Sequence, residues 1–313
     1  MMTLSEKEVE KYIDPRALID LLAEGFGALE LGEIQSPARP KLLVPGKGFS
    51  LAMPAWRPGM QLTVKIVNVF DGNVQIGLPN HLALINLFDP ETGAPSCIMD
   101  GTYVTAVRAA AAAALSVRLL SRAESRVATV IGAGVQGAQH LRLLPLVRNF
   151  ERINVCSLRF EEAERLAAQS KIAGATSDVE KAVRESDVVC LATHSAEPVI
   201  DASWVQHGTH VSSVGFHPPQ GELPKELARS ARLFVETVDA FQPVPVGCSE
   251  LAGLDVSLGT TLGAVVLGRK PGRRGANEIT VYKAMGVAME DMVAANLAFE
   301  RAKREGGGSF MAL

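Results

Sequence analysis

The sequence has no excess charge of either sign: its 313 residues carry 31 Lys and Arg against 34 Asp and Glu, a net charge of −3. That excludes the field that would hold nucleic acid or an anionic membrane. Cysteine is sparse. Cys97, Cys156, Cys190 and Cys248 have neither the close spacing of a zinc site nor a CxxC redox pair, so they read as reduced, buried thiols of a cytoplasmic protein, and no metal is expected. No apolar run reaches the eighteen or so residues of a membrane span, and the start MMTLSEKEVEKYID is charged, without the apolar core of a signal peptide. The longest candidate, residues 104–120, carries Arg108 and Arg118 around an Ala-rich middle and reads as a buried helix. No internal repeat is visible, and only the tail REGGGSF from Arg304 looks loose. These absences leave a small molecule as the expected partner.

What is present points to two domains. A chain of this length, 47% apolar and 21% charged, can bury two cores of ordinary size. Residues 5–31 carry apolar positions at helical spacing (Val9, Ile13, Leu18, Leu22, Phe26, Leu29), and Pro15 suits the first turn of a second helix. Over residues 41–87 the pattern changes to short β-branched runs, LLV, LTVKIVNVF and LALINLF, separated by PGKG, RPGM and DGN, which predicts a mostly antiparallel sheet. FDPETGAP has the punctuation of a hairpin turn, and SCIMD leads as a strand into the Ala-rich helix. After Ser121 the rhythm is βαβ: VATVIGAG, INVCSL, DVVCLAT, HVSSVG and ARLFVET alternate with helical or loop connections, the order of a parallel doubly wound sheet. The run from Glu278, EITVYKAMGVAMEDMVAANLAFERAKRE, reads as a closing helix that packs against the first domain.

Residues 129–137, TVIGAGVQG, place Gly132, Gly134 and Gly137 after an apolar strand and at the opening of a helix near Val135. The first glycine permits a tight turn, the second lets backbone approach a pyrophosphate, and the third allows close helix-to-strand packing. Unsatisfied N–H groups at the helix start, at Val135 and Gln136, then meet phosphate charge. The same spacing arises in glycine turns without a cofactor, but seldom in this strand-to-helix context. NAD enzymes usually place Asp or Glu at the end of the second strand. Here INVC ends in Ser157, Leu158 and Arg159, a hydroxyl and a guanidinium that suit a 2′-phosphate, so NADP is preferred with NAD possible; Arg159 as a solvated helix-start charge is the alternative. Thr193 and Ser195 in LATHSAEPV lie at a strand end, where they either border the nicotinamide or cap the turn.

Five blocks in one order carry a further likeness: VKIVNVFDGNVQIGLP, FDPETGAPSCIMDGTYVTAVRAAAAAAL, VIGAGVQGAQH, DVVCLATHSAEPVI and EITVYKAMGVAMEDM. Through them the chain resembles the ornithine cyclodeaminase and μ-crystallin family along nearly its whole length. The resemblance implies an α/β fold with a Rossmann-type doubly wound parallel sheet over residues 116–277. It also implies an α+β substrate-binding and dimerisation domain, with a mainly antiparallel sheet, over residues 1–115, completed by a helix over 278–313. A homodimer joined through that second sheet is implied too. So is a substrate class: small α-amino acids or their imino and keto forms.

On that resemblance, Arg39 in SPARPK, Lys65 in TVKIV and Arg108 in TAVRAA match the basic residues that face the substrate. Their chemistry fits independently, since a guanidinium grips a carboxylate bidentately. Lys65 among apolar strand neighbours would lose hydration and shuttle a proton at lowered pKa, although alternation alone allows it to face outward. Two departures stand out. Cyclodeaminases of the family carry an aspartate where VGFHPPQGELP has His217, and the family's Arg-Thr pair is here Arg108 and Ala109. Histidine can exchange a proton near neutrality but holds a cationic amine less well than a carboxylate. The expected function is therefore NAD(P)-dependent hydride transfer at the α-carbon of a small amino or imino acid, as in ketimine reductases and amino acid dehydrogenases, with Lys65 and His217 as acid/base groups. The alternatives are ornithine cyclodeamination with internally recycled cofactor, and a non-catalytic protein that binds NADP and a small ligand.

Overall fold

The computed structural model describes residues 1–244 and 246–312, which divide into two compact units, residues 1–108 with the chain from 287 on, and residues 109–286. The sequence reading places these divisions at 115/116 and 277/278.

In the first unit, β1 (Met2–Leu4) is followed by α1 (Glu6–Tyr12) and α2 (Pro15–Glu30). Pro15 opens α2 as its sequence position suggests, and Asp14 caps it by accepting a hydrogen bond from the Ala17 N–H at 2.8 Å. Strands β2 (Lys41–Val44), β3 (Gly48–Ala55), β4 (Leu62–Val69), β5 (His81–Phe88) and β6 (Pro95–Asp100) come next, in sheet order β1-β6-β5-β4-β3-β2. Every pairing is antiparallel except that of β1 with β6. The FDPETGAP turn joins β5 to β6: Asp89 Oδ1 accepts from the N–H groups of Glu91 and Thr92, each at 2.9 Å. Strand period decides the faces. In β4, Thr63, Lys65 and Val67 point inward, and in β5 Ala83, Ile85 and Leu87 do.

The Ala-rich run forms α3 (Thr102–Leu120). By length and composition this helix could cross a membrane, but 78% of it is buried inside the protein, as a core helix is.

The second unit alternates β7 (Val127–Ile131), α4 (Val135–Leu143), β8 (Arg152–Cys156), α5 (Phe160–Ala167), β9 (Ala173–Ala175), α6 (Val179–Arg184), β10 (Val188–Leu191) and β11 (His210–Ser213). It continues with α7 (Lys225–Ser230), β12 (Arg232–Val235), β13 (Gly259–Thr261), α8 (Leu262–Val266) and β14 (Thr280–Lys283). All strands are parallel, in order β13-β12-β14-β11-β10-β7-β8-β9. From β7 the chain moves to β8 and β9 on one side and resumes at β10 and β11 on the other, so the winding reverses between β7 and β10, where open parallel sheets bind ligands at their carboxyl ends. The Rossmann-type domain and the mainly antiparallel second sheet expected from the sequence are both present.

The expected helix from Glu278 needs correction. Thr280, Val281, Tyr282 and Lys283 are fully buried as β14 between β11 and β12; β-branched and aromatic residues suit a strand covered on both faces. Gly286 at φ 73° then breaks the strand, and α9 (Ala288–Arg304) begins two residues later. This helix belongs to the first unit and seats on β4, where Asn296 accepts from the Gln61 N–H at 2.8 Å and donates to Thr63 Oγ1 at 3.1 Å. The tail is corrected as well. Instead of fraying, β15 (Ser309–Phe310) pairs with Met2 and Thr3 at the edge of the first sheet, because the glycines after α9 reverse the chain toward an unpaired strand edge.

Helices α2 and α9 approach closely at Gly25, where an added Cβ would lie 2.5 Å from Met289 Sδ and 3.2 Å from Val293 Cγ2. Gly25→Leu is therefore expected to overpack the pair and lower stability by about 1–3 kcal/mol, measured as a shift in urea midpoint.

Candidate functional site

The first unit buries four charges together. Lys65, which the β4 alternation turns inward, is 1% exposed, and Arg108, in the second turn of α3, is 7% exposed. Both meet adjacent acids in the first turn of α9. Lys65 Nζ lies 2.6 Å from Asp291 Oδ2 and 3.4 Å from Thr105 Oγ1; Arg108 Nε donates to Asp291 Oδ1 at 3.1 Å and Nη1 to Glu290 Oε2 at 2.8 Å. Asp291 thus bridges the two cations. Isolated buried charges are too costly to persist, so each member depends on the others. Burial pushes the Lys65 pKa down to about 8, with Asp291 opposing the fall and Arg108 adding to it. Arg39 sits half-buried in the connection just before the edge strand β2.

Neither Glu290 nor Asp291 was singled out from the sequence. The available signal was two adjacent acids flanked by Met289, Met292 and Val293, a pattern that requires buried cations once the helix packs inward.

In the second unit the glycine loop follows β7, and its three glycines differ in surroundings. Gly132 has φ 112°, and a Cβ there would lie 2.3 Å from Ala192 O; one on Gly137 would lie 1.9 Å from Gly132 O. Nothing stands within 4 Å of a Cβ built on Gly134. That glycine leaves a bare cradle at the start of α4, where it is the N-cap and supplies no side-chain hydrogen bond. The first-turn N–H groups of Val135 and Gln136 thus have neither a helical acceptor nor a cap, which suits them to a phosphate. These residues fit the pyrophosphate of a dinucleotide. The Gly132 N–H also donates to Cys156 O at 2.8 Å, holding the end of β8 beside the loop. Just beyond, Ser157 Oγ donates to Glu162 Oε2 at 3.3 Å and Arg159 forms an ion pair with Glu162 Oε1.

Thr193 and Ser195 follow β10, and both hydroxyls are engaged, that of Ser195 donating within the turn and that of Thr193 donating outside it. Thr193 donates from N and Oγ1 to Glu222 Oε2, both at 2.7 Å, while Ser195 Oγ donates to Glu197 O at 2.6 Å. The Thr193 hydroxyl also accepts from the Ser195 N–H at 3.3 Å, a contact within the turn. Glu222, absent from the sequence-level site, also accepts from Ser213 Oγ and from the Gly215 N–H at 2.8 and 2.7 Å; it ties the turn after β10 to that after β11. Beside it, Lys283 pairs with Glu250 at 2.8 Å. Burial disfavours its charge, but Glu250 and then Glu222 outweigh this and hold its pKa above the ordinary value. His217 lies half-buried after β11, with its Nδ1 2.7 Å from His194 Nε2 and the two rings edge to face. Among the described residues, no group of three His, Cys, Asp or Glu is placed to hold a metal.

Comparison with known proteins agrees with this architecture. The model of the ornithine cyclodeaminase/mu-crystallin family matches residues 1–306. The ketimine reductase mu-crystallin of Mus musculus is 33% identical, over 95% of this chain and 96% of that protein. A solved structure of the Thermococcus litoralis Δ1-pyrroline-2-carboxylate reductase, in complex with NADH and L-proline, is 32% identical with a TM-score of 0.93, covering 99% of this chain and all of the other. An archaeal alanine dehydrogenase dimer with bound NAD is 30% identical with a TM-score of 0.92, over 100% and 99% of the two chains.

Asp291→Ala leaves two buried cations facing one acid. It is expected to cost about 3–5 kcal/mol of unfolding free energy, read from urea denaturation followed by circular dichroism.

Proposed function

We propose that this chain, which belongs to the ornithine cyclodeaminase/mu-crystallin family, is an NAD(P)-dependent oxidoreductase that transfers hydride at the α-carbon of a small α-amino or imino acid. The observation that carries the reading is Lys65, buried on Asp291 beside Arg108 with its pKa pushed down to about 8. A lysine so tuned exchanges a proton near physiological pH, as an acid/base group at a carbon–nitrogen double bond must.

When bound, the nicotinamide supplies or accepts the hydride. The remaining work falls to side chains. Arg108, oriented by its contacts with Asp291 and Glu290, offers the substrate carboxylate a guanidinium already fixed in direction. Arg39, half-buried just before β2, is the second guanidinium proposed for the substrate carboxylate. In the reductive direction Lys65 Nζ holds the proton destined for the substrate nitrogen, and Asp291 keeps that ammonium in place. His217 assists as a second acid/base group. Because an imidazole retains a substrate ammonium less well than an aspartate would, its presence favours imine reduction over cyclodeamination.

The finer cofactor reading is NADP over NAD: Ser157 and Arg159 supply a hydroxyl and a guanidinium at the end of β8 with no acid on the strand itself. The chain is also proposed to act as a homodimer through the outer face of the first unit's sheet. There Leu62 and Leu84 are 37% and 52% exposed beside the half-buried Val64, Ile66 and Leu82, an apolar face of the kind that marks an interface.

Oxidation of NADPH and NADH with cyclic imines, and with 2-oxo acids plus ammonia, tests the activity. Proline formed from ornithine without net cofactor change would replace this reading with cyclodeamination. Lys65→Met is expected to lower kcat/KM by roughly 10²–10⁴-fold while calorimetric cofactor affinity is kept; unchanged turnover would remove its acid/base role. The protonated lysine is the acid, so kcat/KM for reduction should fall as pH rises through about 8 and, if oxidation runs, that direction should gain over the same range. Leu84→Asp should convert a dimer into a monomer in analytical ultracentrifugation, whereas a monomeric native chain at micromolar concentration would reject the assembly.

A further inference from the structure

The end of β8 contains an internal anion. Ser157 Oγ and Arg159, the two groups suited to a 2′-phosphate, both hold the carboxylate of Glu162. Glu162 is the third residue of α5, in the acidic first turn of that helix, and its side chain is 27% exposed against 74% for Arg159. This ion pair is local, at i,i+3, and open to water, so it contributes little to stability and can be exchanged for another anion. Its position is set by the sheet, because Cys156, one residue before Ser157, accepts the Gly132 N–H of the glycine loop. A dinucleotide on that loop directs its adenosine ribose toward the end of the second strand.

We infer that Glu162 is a specificity-determining residue that stands in for the strand-end acid the sequence lacks and competes with a 2′-phosphate for Ser157 and Arg159. This inference rests on the dinucleotide reading above. With a 2′-hydroxyl, the carboxylate stays in place and accepts the hydroxyl proton. With a 2′-phosphate it must leave, since two anions cannot share one guanidinium and one hydroxyl without repulsion. Arg159 alone therefore overstates the preference for NADP. Glu162 tempers it and lets one pocket take both cofactors.

The test uses two adenosine probes, 5′-AMP and adenosine 2′,5′-bisphosphate, titrated calorimetrically into the native chain, Glu162→Gln and Arg159→Ala, with NADPH and NADH kinetics alongside. Glu162→Gln should tighten the bisphosphate roughly tenfold while 5′-AMP is weakened. A ratio of the two affinities that moves less than about twofold overturns the inference. Glu162→Ala repeats the measurement without an amide that could reach the phosphate and must shift the ratio the same way; the opposite shift also overturns it. Arg159→Ala separates the two ideas. Loss of bisphosphate affinity there, with no ratio change in Glu162→Gln, keeps the NADP reading and rejects the role of Glu162. An unchanged ratio in Arg159→Ala rejects the NADP reading, and the 5′-AMP response of Glu162→Gln then decides whether the carboxylate still serves the 2′-hydroxyl: a weaker 5′-AMP upholds that role and an unchanged one rejects it.

Discussion

The carboxylate of Asp291 is the constraint on which the first unit depends. It lies 183 residues from Arg108 in the chain, yet each of its oxygens meets a different buried cation. Hydrophobic burial would tolerate α9 in several positions along the sheet. Charge does not, because a one-residue slip would leave Lys65 or Arg108 in an apolar interior without a partner. The polar contacts of Asn296 with Gln61 and Thr63 hold the same helix on the same strand. The acids that neutralise the cations therefore also orient them, so one set of contacts serves stability and the proposed chemistry.

The second unit handles buried charge in another proportion. Glu222 and Glu250 are set against the single ammonium of Lys283, and the balance is made up by hydrogen bonds to Glu222 from Thr193, Ser213 and Gly215. A carboxylate satisfied by four donors needs no ion pair of its own. What it holds are the two turns that follow β10 and β11, on one side of the point where the sheet's winding reverses. The glycine loop holds the other side, at the end of β7. The carboxyl edge of the sheet is thus tied together by the chain's own hydrogen bonds.

Local pattern made much of this architecture legible. Short β-branched runs at residues 62–70 and 82–88, bounded by turn residues, marked the two central strands of the antiparallel sheet, Pro15 marked the start of α2, and the glycine spacing with its flanking strand marked the dinucleotide turn. Each is a short-range property, set by side-chain period, backbone dihedrals or missing Cβ atoms. Tertiary context overrides such signals at two places. Residues 280–283 continue a helical-looking run but are buried on both faces between two strands, and the glycine-rich tail gains order from an edge it could not anticipate.

The sequence by itself determined that a dinucleotide turn is present and that two domain types follow one another along the chain, and its family blocks pointed to the cations proposed for a carboxylate. It did so because those features are encoded within a few residues of one another or within recognisable blocks. Only the tertiary structure decided that Lys65 faces inward, that Asp291 partners both Lys65 and Arg108 while Glu290 partners Arg108, that Glu222 accepts from the Thr193 hydroxyl of the turn after β10, and that Glu162 sits on Ser157 and Arg159. The physical reason is the same throughout. The proton affinity and orientation of a charged side chain depend on what lies within a few ångströms of it, and over most of these contacts the neighbours come from distant parts of the chain.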